Sequence, residues 1–279
     1  MSQGKLILIS TPIGNLSDIS ARAIESLRLL DYIVAEDTRA LLKLLSLLEI
    51  AASDKTIRSF HEHNRGASAE VIARLESGAD VGLVSDAGSP ILSDPAYPLV
   101  QDVLASGGVI DTIPGVSSVT AALELSGLAP HPFSFIGFLP RETDKKLASI
   151  ASWCELGTLV CFESPHRVER TLSEISQAHP ELSIAVVREI TKKFQSVHRF
   201  RARDWQAHKE ALTVKGEFVL VLAREDKAAK ASVSSAKLQG LAEDVLKRPS
   251  PKATAKLLSE ILGLETKEVY KVLTEKNRE

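Results

Sequence analysis

Ser85-Asp86-Ala87-Gly88-Ser89-Pro90 surrounds one carboxylate with small residues; Gly88 lets backbone approach a ligand closely and Pro90 stiffens the exit. Glu36-Asp37-Thr38-Arg39 sets two carboxylates, a hydroxyl and a guanidinium in a row, able to orient a polar substrate by bidentate pairing or simply to begin a helix. His61 and His63 face one way in extended chain, but no further ligand spacing supports a metal, so none is expected. His63 and Asn64 are read as hydrogen-bonding groups for a substrate. Ser117 and Ser118, after Pro114-Gly115-Val116, bring hydroxyls and N–H groups to a helix start, where they hold a carboxylate or cap the helix. Further polar clusters are Glu163-Ser164-Pro165-His166-Arg167, Arg188-Glu189-Ile190-Thr191-Lys192-Lys193 and Gly216-Glu217. Arg199, Arg201 and Arg203 share one face if 197–203 is extended, as a stripe for phosphates or as a solvated sheet face.

Almost every cluster follows a short apolar run, and such runs read as buried strands. They are Leu6 to Ser10, Tyr32 to Ala35, Ile57 to Phe60, Val81 to Val84, Val109 to Ile113, Phe133 to Phe138, Thr158 to Phe162, Leu182 to Val187 and Phe218 to Ala223. Helical patterns lie between them: Ser20 to Leu30, Ala40 to Leu48, Gly66 to Glu76, Ala96 to Ala105, Val119 to Leu125 and Pro165 to Ala178. Strands alternating with helices give parallel pairing through βαβ crossovers, and open α/β sheets bind ligands at the carboxyl ends of their strands. The charged stretch from Leu139 to Lys146 reads as an exposed loop.

The expected organisation is an N-terminal α/β domain at 1–115 with a mainly parallel sheet, a second α/β domain at 116–224, a Lys/Ala/Ser-rich linker at 225–237 and a small helical domain at 238–279. In the last, Leu238 to Lys247, Pro251 to Leu262 and Lys267 to Glu275 resemble a helix-turn-helix or a small bundle.

With 44% hydrophobic and 25% charged residues the 279-residue chain is of ordinary globular composition. No apolar run has membrane-spanning length, and Cys154 and Cys161 are too few for a disulfide framework, so a cytoplasmic location is expected. Residues 1–115 hold 9 basic and 15 acidic side chains, 116–224 hold 14 and 12, and 225–279 hold 11 and 9. No general phosphate field results, and any nucleic-acid contact must be local. The fingerprints G-x-G-x-x-G and G-x-x-x-x-G-K-[ST] are absent.

Together the loops T-P-I-G-N-L at 11–16, A-E-D-T-R at 35–39, H-x-H-N at 61–64, S-D-A-G-S-P at 85–90, P-G-V-S-S at 114–118, E-S-P-H-R at 163–167, R-E-I-T-K at 188–192 and G-E at 216–217 resemble the tetrapyrrole methylase superfamily. More closely, they resemble its branch acting on 16S ribosomal RNA, from about residue 4 to the carboxyl terminus. The resemblance implies two α/β domains with S-adenosylmethionine in the cleft between them, the small helical domain, a homodimer, and 2′-O-methylation of a cytidine in the decoding region. It places Pro12, Asp86, Ala87, Gly88, Ser117, Ser118 and Phe162 at the cofactor, with backbone of Val187 and Glu217 nearby. It turns Glu36, Asp37, Arg39, His63, Glu163, Arg188, Glu189 and Lys192 toward the substrate. Ser89 stands where Thr is usual, Ile190 where Leu is usual, and Arg65 where an acidic residue is common, which puts a role for that carboxylate in doubt.

A methyl acceptor hydroxyl must lose its proton, and Glu36, Asp37, Glu189 or a Lys192 of lowered pKa are the candidate acceptors, with Arg39 and Arg188 holding flanking phosphates. The modest charge makes 16S rRNA within the assembled small subunit the expected partner rather than naked RNA. Alternatives are a methylase of the same superfamily acting on a tetrapyrrole or other small molecule, a non-catalytic ribosome assembly factor, and a phosphohydrolase using Asp86 and Asp94.

Overall fold

The computed structural model describes residues 3–60, 65–92 and 96–224, together with Lys252, Ala255, Lys256, Ser259, Glu265, Thr266, Lys267, Tyr270 and Lys271. The chain divides into two compact units, 1–225 and 226–279. In the second unit the described residues other than Glu265 are helical; the expected linker and the helix from Leu238 to Lys247 lie outside the described residues.

The first unit starts with five strands alternating with helices: β1 (Lys5–Ile9), α1 (Ala21–Leu29), β2 (Tyr32–Ala35), α2 (Thr38–Leu47), β3 (Thr56–Ser59), α3 (Arg65–Glu76), β4 (Val81–Val84), α4 (Tyr97–Ala105) and β5 (Val109–Ile113). All pairings are parallel, in the order β3-β2-β4-β1-β5. Strands covered by helices on both faces must be apolar throughout, and every residue of β2 and β4 is buried. Leu6, Val34, Val81 and Leu83 pack under α3 and α4, while Ile9, Ile33, Ala35 and Val84 pack under α1 and α2.

The chain continues through α5 (Ser118–Ser126), β6 (Phe133–Phe138), α6 (Thr143–Leu156), β7 (Thr158–Glu163), α7 (Val168–Ala178), β8 (Ser183–Arg188), β9 (Ser196–Arg201), a short α8 (Trp205–His208) and β10 (Phe218–Ala223). This second sheet has the order β6-β7-β10-β8-β9; β6 and β7 are parallel and the other three pairings antiparallel. Alternation divides its faces. Leu159, Cys161, Ile184, Val186, Leu220 and Leu222 face the core built with α6, α7 and Trp205, and Val160, Ala185, Val187, Val219 and Val221 pack against α5.

Two expectations fail here. The strand expected to reach Arg203 ends at Arg201, because Ala202–Asp204 turns into 3-10 helix and delivers Trp205 to the core, where its indole N–H donates to Ser173 Oγ at 3.0 Å. The stretch read as an exposed loop from Leu139 to Lys146 enters α6 at Thr143, and Lys146 is fully buried. Its ammonium donates to Glu174 Oε2 at 2.8 Å and Thr171 Oγ1 at 2.9 Å. Burial alone would raise the Glu174 carboxyl, but hydrogen bonds from Lys146, Arg170 and Thr143 outweigh it and hold the pKa at about 2 instead of 4.5. A depressed carboxyl contributes stability that is complete above its unfolded pKa and is lost as pH falls toward the folded one. Between pH 5 and 3 the wild type should therefore lose more stability than Lys146→Met, measured as the shift in urea midpoint. Equal shifts would show that Lys146 does not hold the carboxyl down.

Candidate functional site

The polar loops of the first sheet are tied to one another. Thr11 and Gly88, just beyond β1 and β4, exchange N–H···O=C bonds of 2.9 and 3.1 Å. Asp86 Oδ1 accepts the Asp37 N–H at 3.1 Å, joining the exits of β4 and β2. Asp37 caps α2 through the Arg39 N–H at 2.8 Å and receives the Arg39 guanidinium on both oxygens, at 3.2 and 3.0 Å. Those bonds hold the Asp37 carboxyl below its ordinary range, while the Arg39 side chain stays 87% exposed. Ser117 Oγ caps α5 through the Val119 N–H.

In the second sheet Glu163, Phe218 and Arg188 lie side by side, so the exits of β7 and β8 and the entry to β10 share one edge. Glu189 and Thr191 adopt left-handed backbone, φ 51° and 63°, unusual for any side chain and an outlier for a β-branched one. Such strain, about 1–3 kcal/mol per residue, persists where surrounding bonds impose it and clusters at functional sites. Here the Glu189 N–H donates to Glu217 O, the Lys192 N–H to Glu189 O, and the Thr191 N–H to Gln195 Oε1. The turn brings the Lys192 ammonium within 3.1 Å of Glu189 and 3.0 Å of Glu217. It also packs on the loop leaving β1. A Cβ on Gly14 would lie 2.5 Å from Lys192 Cγ and 3.0 Å from Thr191 Oγ1, so only glycine permits this approach.

Between the loops of the two sheets opens a cleft of about 430 Å³. Its floor is apolar (Ile13, Val119, Phe162, Ile190, Phe218, Val219), and its polar contributors are Ser89, Ser117, Ser118, Glu163, Ser164 and Glu217 along with the backbone around Ala87 and Gly88. Of the residues expected at a cofactor, Ala87, Gly88, Ser117, Ser118, Phe162 and Glu217 meet here. Pro12 and Asp86 line a second hollow of about 350 Å³ with residues of α2. The Val187 side chain is buried in the core, its backbone paired with Val219.

The expected substrate residues separate more widely. The Glu163 carboxylate is wholly buried and committed: Arg167 Nε, Arg167 Nη2, Thr171 Oγ1 and the Ser164 N–H all donate to it. Arg188 donates to the carbonyls of Lys215 and Phe194, bracing two loops instead of presenting a free cation. Arg199 donates to the carbonyls of Ser126 and Leu125 at the end of α5, and Arg201 to that of Glu181, so both guanidiniums brace backbone. Lys192 also departs from expectation. Burial lowers its pKa, but Glu217 and Glu189 outweigh burial and raise it above the ordinary lysine value, the opposite direction to the lowered pKa expected of a proton acceptor. Burial likewise acts upward on Glu189, yet the Glu217 N–H and Lys192 hold that carboxyl below its usual range. Glu36 lies beside Asp37 at the exit of β2. His63, Asn64 and Asp94 lie outside the described residues.

Sequence reasoning missed Phe138, which lines the cleft and is 61% exposed. The signal was Gly137 inside a strand pattern, a mark of a bulge.

The two sheets and the cleft between their loops define a class. The family model described as Tetrapyrrole (Corrin/Porphyrin) Methylases matches residues 5–206, and the chain belongs to that family. Within it, the chain is similar to proteins named "Ribosomal RNA small subunit methyltransferase I". That of Xylella fastidiosa is 36% identical over 274 residues, 96% of this chain and 98% of the relative. That of Bacillus subtilis is 40% identical over 223 residues, 78% of this chain and 75% of the relative. Among solved structures, diphthine synthase superposes with a TM-score of 0.60 at 15% identity, covering 78% of this chain and 90% of that one. Uroporphyrin-III-C-methyltransferase from Thermus thermophilus superposes with a TM-score of 0.52 at 18% identity, covering 80% and 95%. These two share the fold. No helix among the described residues is long and apolar enough to cross a membrane.

Proposed function

We propose that the chain transfers a methyl group from S-adenosylmethionine to the 2′-hydroxyl of a cytidine in the decoding region of 16S rRNA, within the assembled small subunit in the cytoplasm. The observation that carries this reading is the cleft between two sheet edges, with an apolar floor, two serines at a helix start, and on its wall Glu217, which with Glu189 holds the Lys192 ammonium. The names of the relatives support an RNA acceptor. A volume of about 430 Å³ falls within the ~300–1,000 Å³ usual for cofactor sites. An apolar wall with Phe162 suits an adenine, and Ser117 and Ser118 at the positive end of α5 suit a carboxylate. The donor supplies an already activated methyl, so the protein's work is alignment and exclusion of water.

This chain's own groups then divide the work. Ile13, Phe162, Ile190 and Val219 keep water from the reacting atoms. Lys192, kept charged by Glu189 and Glu217, favours negative charge developing on the acceptor oxygen. The exposed Arg39 can leave Asp37 for a phosphate. Glu189, Asp37 and Glu36 remain the candidates to accept the hydroxyl proton, as carboxylates at the two loop edges.

The test is transfer of labelled methyl to small subunits lacking the modification, with mapping of alkali-resistant linkages. A single 2′-O-methylated cytidine on subunits, and little transfer to protein-free RNA, is expected. Subunit binding without transfer would sink the enzymatic reading, and equal transfer to a short naked hairpin would sink the requirement for an assembled subunit.

A further inference from the structure

Phe138 ends β6 at the cleft with 61% of its surface exposed. Regular alternation puts Phe135 on the face toward α5, Ile136 on the face toward the core of α6 and α7, and Phe138 with Ile136. The ladder does otherwise. Phe135 pairs with Val160 and Phe138 with Phe162, so β6 spends one residue more than β7 over the same length. The extra residue is taken up at Gly137, φ 68°, where a side chain would be strained. This bulge turns Phe138 out of the core and into an edge-to-face contact with Phe162, with ring centroids 5.5 Å apart and planes at 65°. Leu139 takes the vacated core position and is buried.

The backbone beside the ring is fixed. The Leu139 N–H donates to Phe162 O at 3.3 Å, and the Leu139 carbonyl accepts Arg167 Nη2 at 2.7 Å, on a guanidinium already locked to the buried Glu163. A large apolar ring is thus held in water by a buried ion pair, although burying it would add to stability. Phe162, partly buried beneath it, belongs to the inner wall; Phe138 stands at the entrance.

We propose that Phe138 is the surface on which the base of the acceptor nucleotide stacks once it leaves the RNA stack. The proposal rests on the RNA 2′-O-methylation reading and names the positioning residue for its substrate. A nucleotide whose ribose enters the cleft must be unstacked, and its base then needs a flat apolar partner. A phenylalanine ring offers this to any base without hydrogen bonds, so Phe138 positions the nucleotide and leaves its identity to be read elsewhere.

The experiment compares wild type, Phe138→Ala and Phe138→Tyr in cofactor binding by calorimetry, kcat and KM on unmodified small subunits, melting temperature, and oligomeric state by light scattering. Phe138→Ala should lower kcat/KM for subunits about 5- to 100-fold while cofactor affinity stays within about twofold, and Phe138→Tyr should restore most of the loss. A parallel fall in cofactor affinity would assign the ring to the cofactor and overturn the proposal. Unchanged kcat/KM, a loss that tyrosine does not restore, or a loss accompanied by a changed oligomeric state would overturn it as well. If the wild type itself transfers no methyl to subunits, the RNA reading fails whatever the variants show.

Discussion

Glu163→Ala is expected to lower the melting temperature by ~6–12 °C, the effect of losing about 3 kcal/mol in a unit of this size. The carboxylate has no exposed surface and accepts from Arg167 Nε and Nη2, Thr171 Oγ1 and the Ser164 N–H, so its removal takes the acceptor from four donor atoms beneath the cleft floor. Arg167 is partly open to solvent, which keeps the loss at the lower end for a broken buried pair. Glu163→Gln should lose less, because the amide oxygen still accepts from Arg167 while its NH2 meets a donor. Replacing both partners, Glu163→Leu with Arg167→Met, should recover much of the loss, since no uncompensated charge is then left. Calorimetric unfolding of the four proteins checks this. A loss under about 1 kcal/mol for Glu163→Ala would mean that water replaces the carboxylate and that the pair does not hold the floor. Arg167 also grips the Leu139 carbonyl, so the single variants should impair subunit methylation beyond what their stability explains.

The first sheet was legible because its strands are buried on both faces and so must be apolar throughout. Tyr32–Ala35 and Val81–Val84 could be bounded to the residue, since an acidic or hydroxyl residue follows each at once. The order β3-β2-β4-β1-β5 was not legible, because nothing local says that β4 inserts between β1 and β2. The second half hides more, and for a common reason: its decisive partners are distant in sequence. Lys146 looks solvated until Thr171 and Glu174 supply its hydrogen bonds from α7. Arg199 and Arg201 look like a phosphate stripe until the end of α5 and Glu181 supply carbonyls. The clusters at strand ends were visible as clusters, but their individual roles were not. Glu163 and Glu189 each sit beside an arginine and a strand end, yet one is sealed in a structural pair and the other stands on a strained turn at the cleft. Only the tertiary contacts separate them.

Lys192→Met is expected to reduce kcat for methyl transfer by about a hundredfold or more, the scale set by removing one donor that faces a developing oxyanion. Cofactor affinity should change little, because Lys192 is outside the apolar wall that receives the cofactor in the proposed site. The pH profile separates an electrostatic role from a merely structural one. In the wild type the Glu217 N–H and Lys192 outweigh burial and hold Glu189 below the ordinary carboxylate range. Without the ammonium, burial acts on Glu189 with less opposition and its pKa rises, so the acid limb of the residual activity should move to higher pH. Lys192→Arg keeps the charge but not the compact ammonium lodged between Glu189 and Glu217, and it should recover the wild-type acid limb with only part of the rate. A Lys192→Met enzyme with nearly wild-type kcat would reduce the lysine to a fastener of the turn. An unmoved acid limb with the same large loss would place the proton acceptor elsewhere, among Asp37 and Glu36 at the exit of β2.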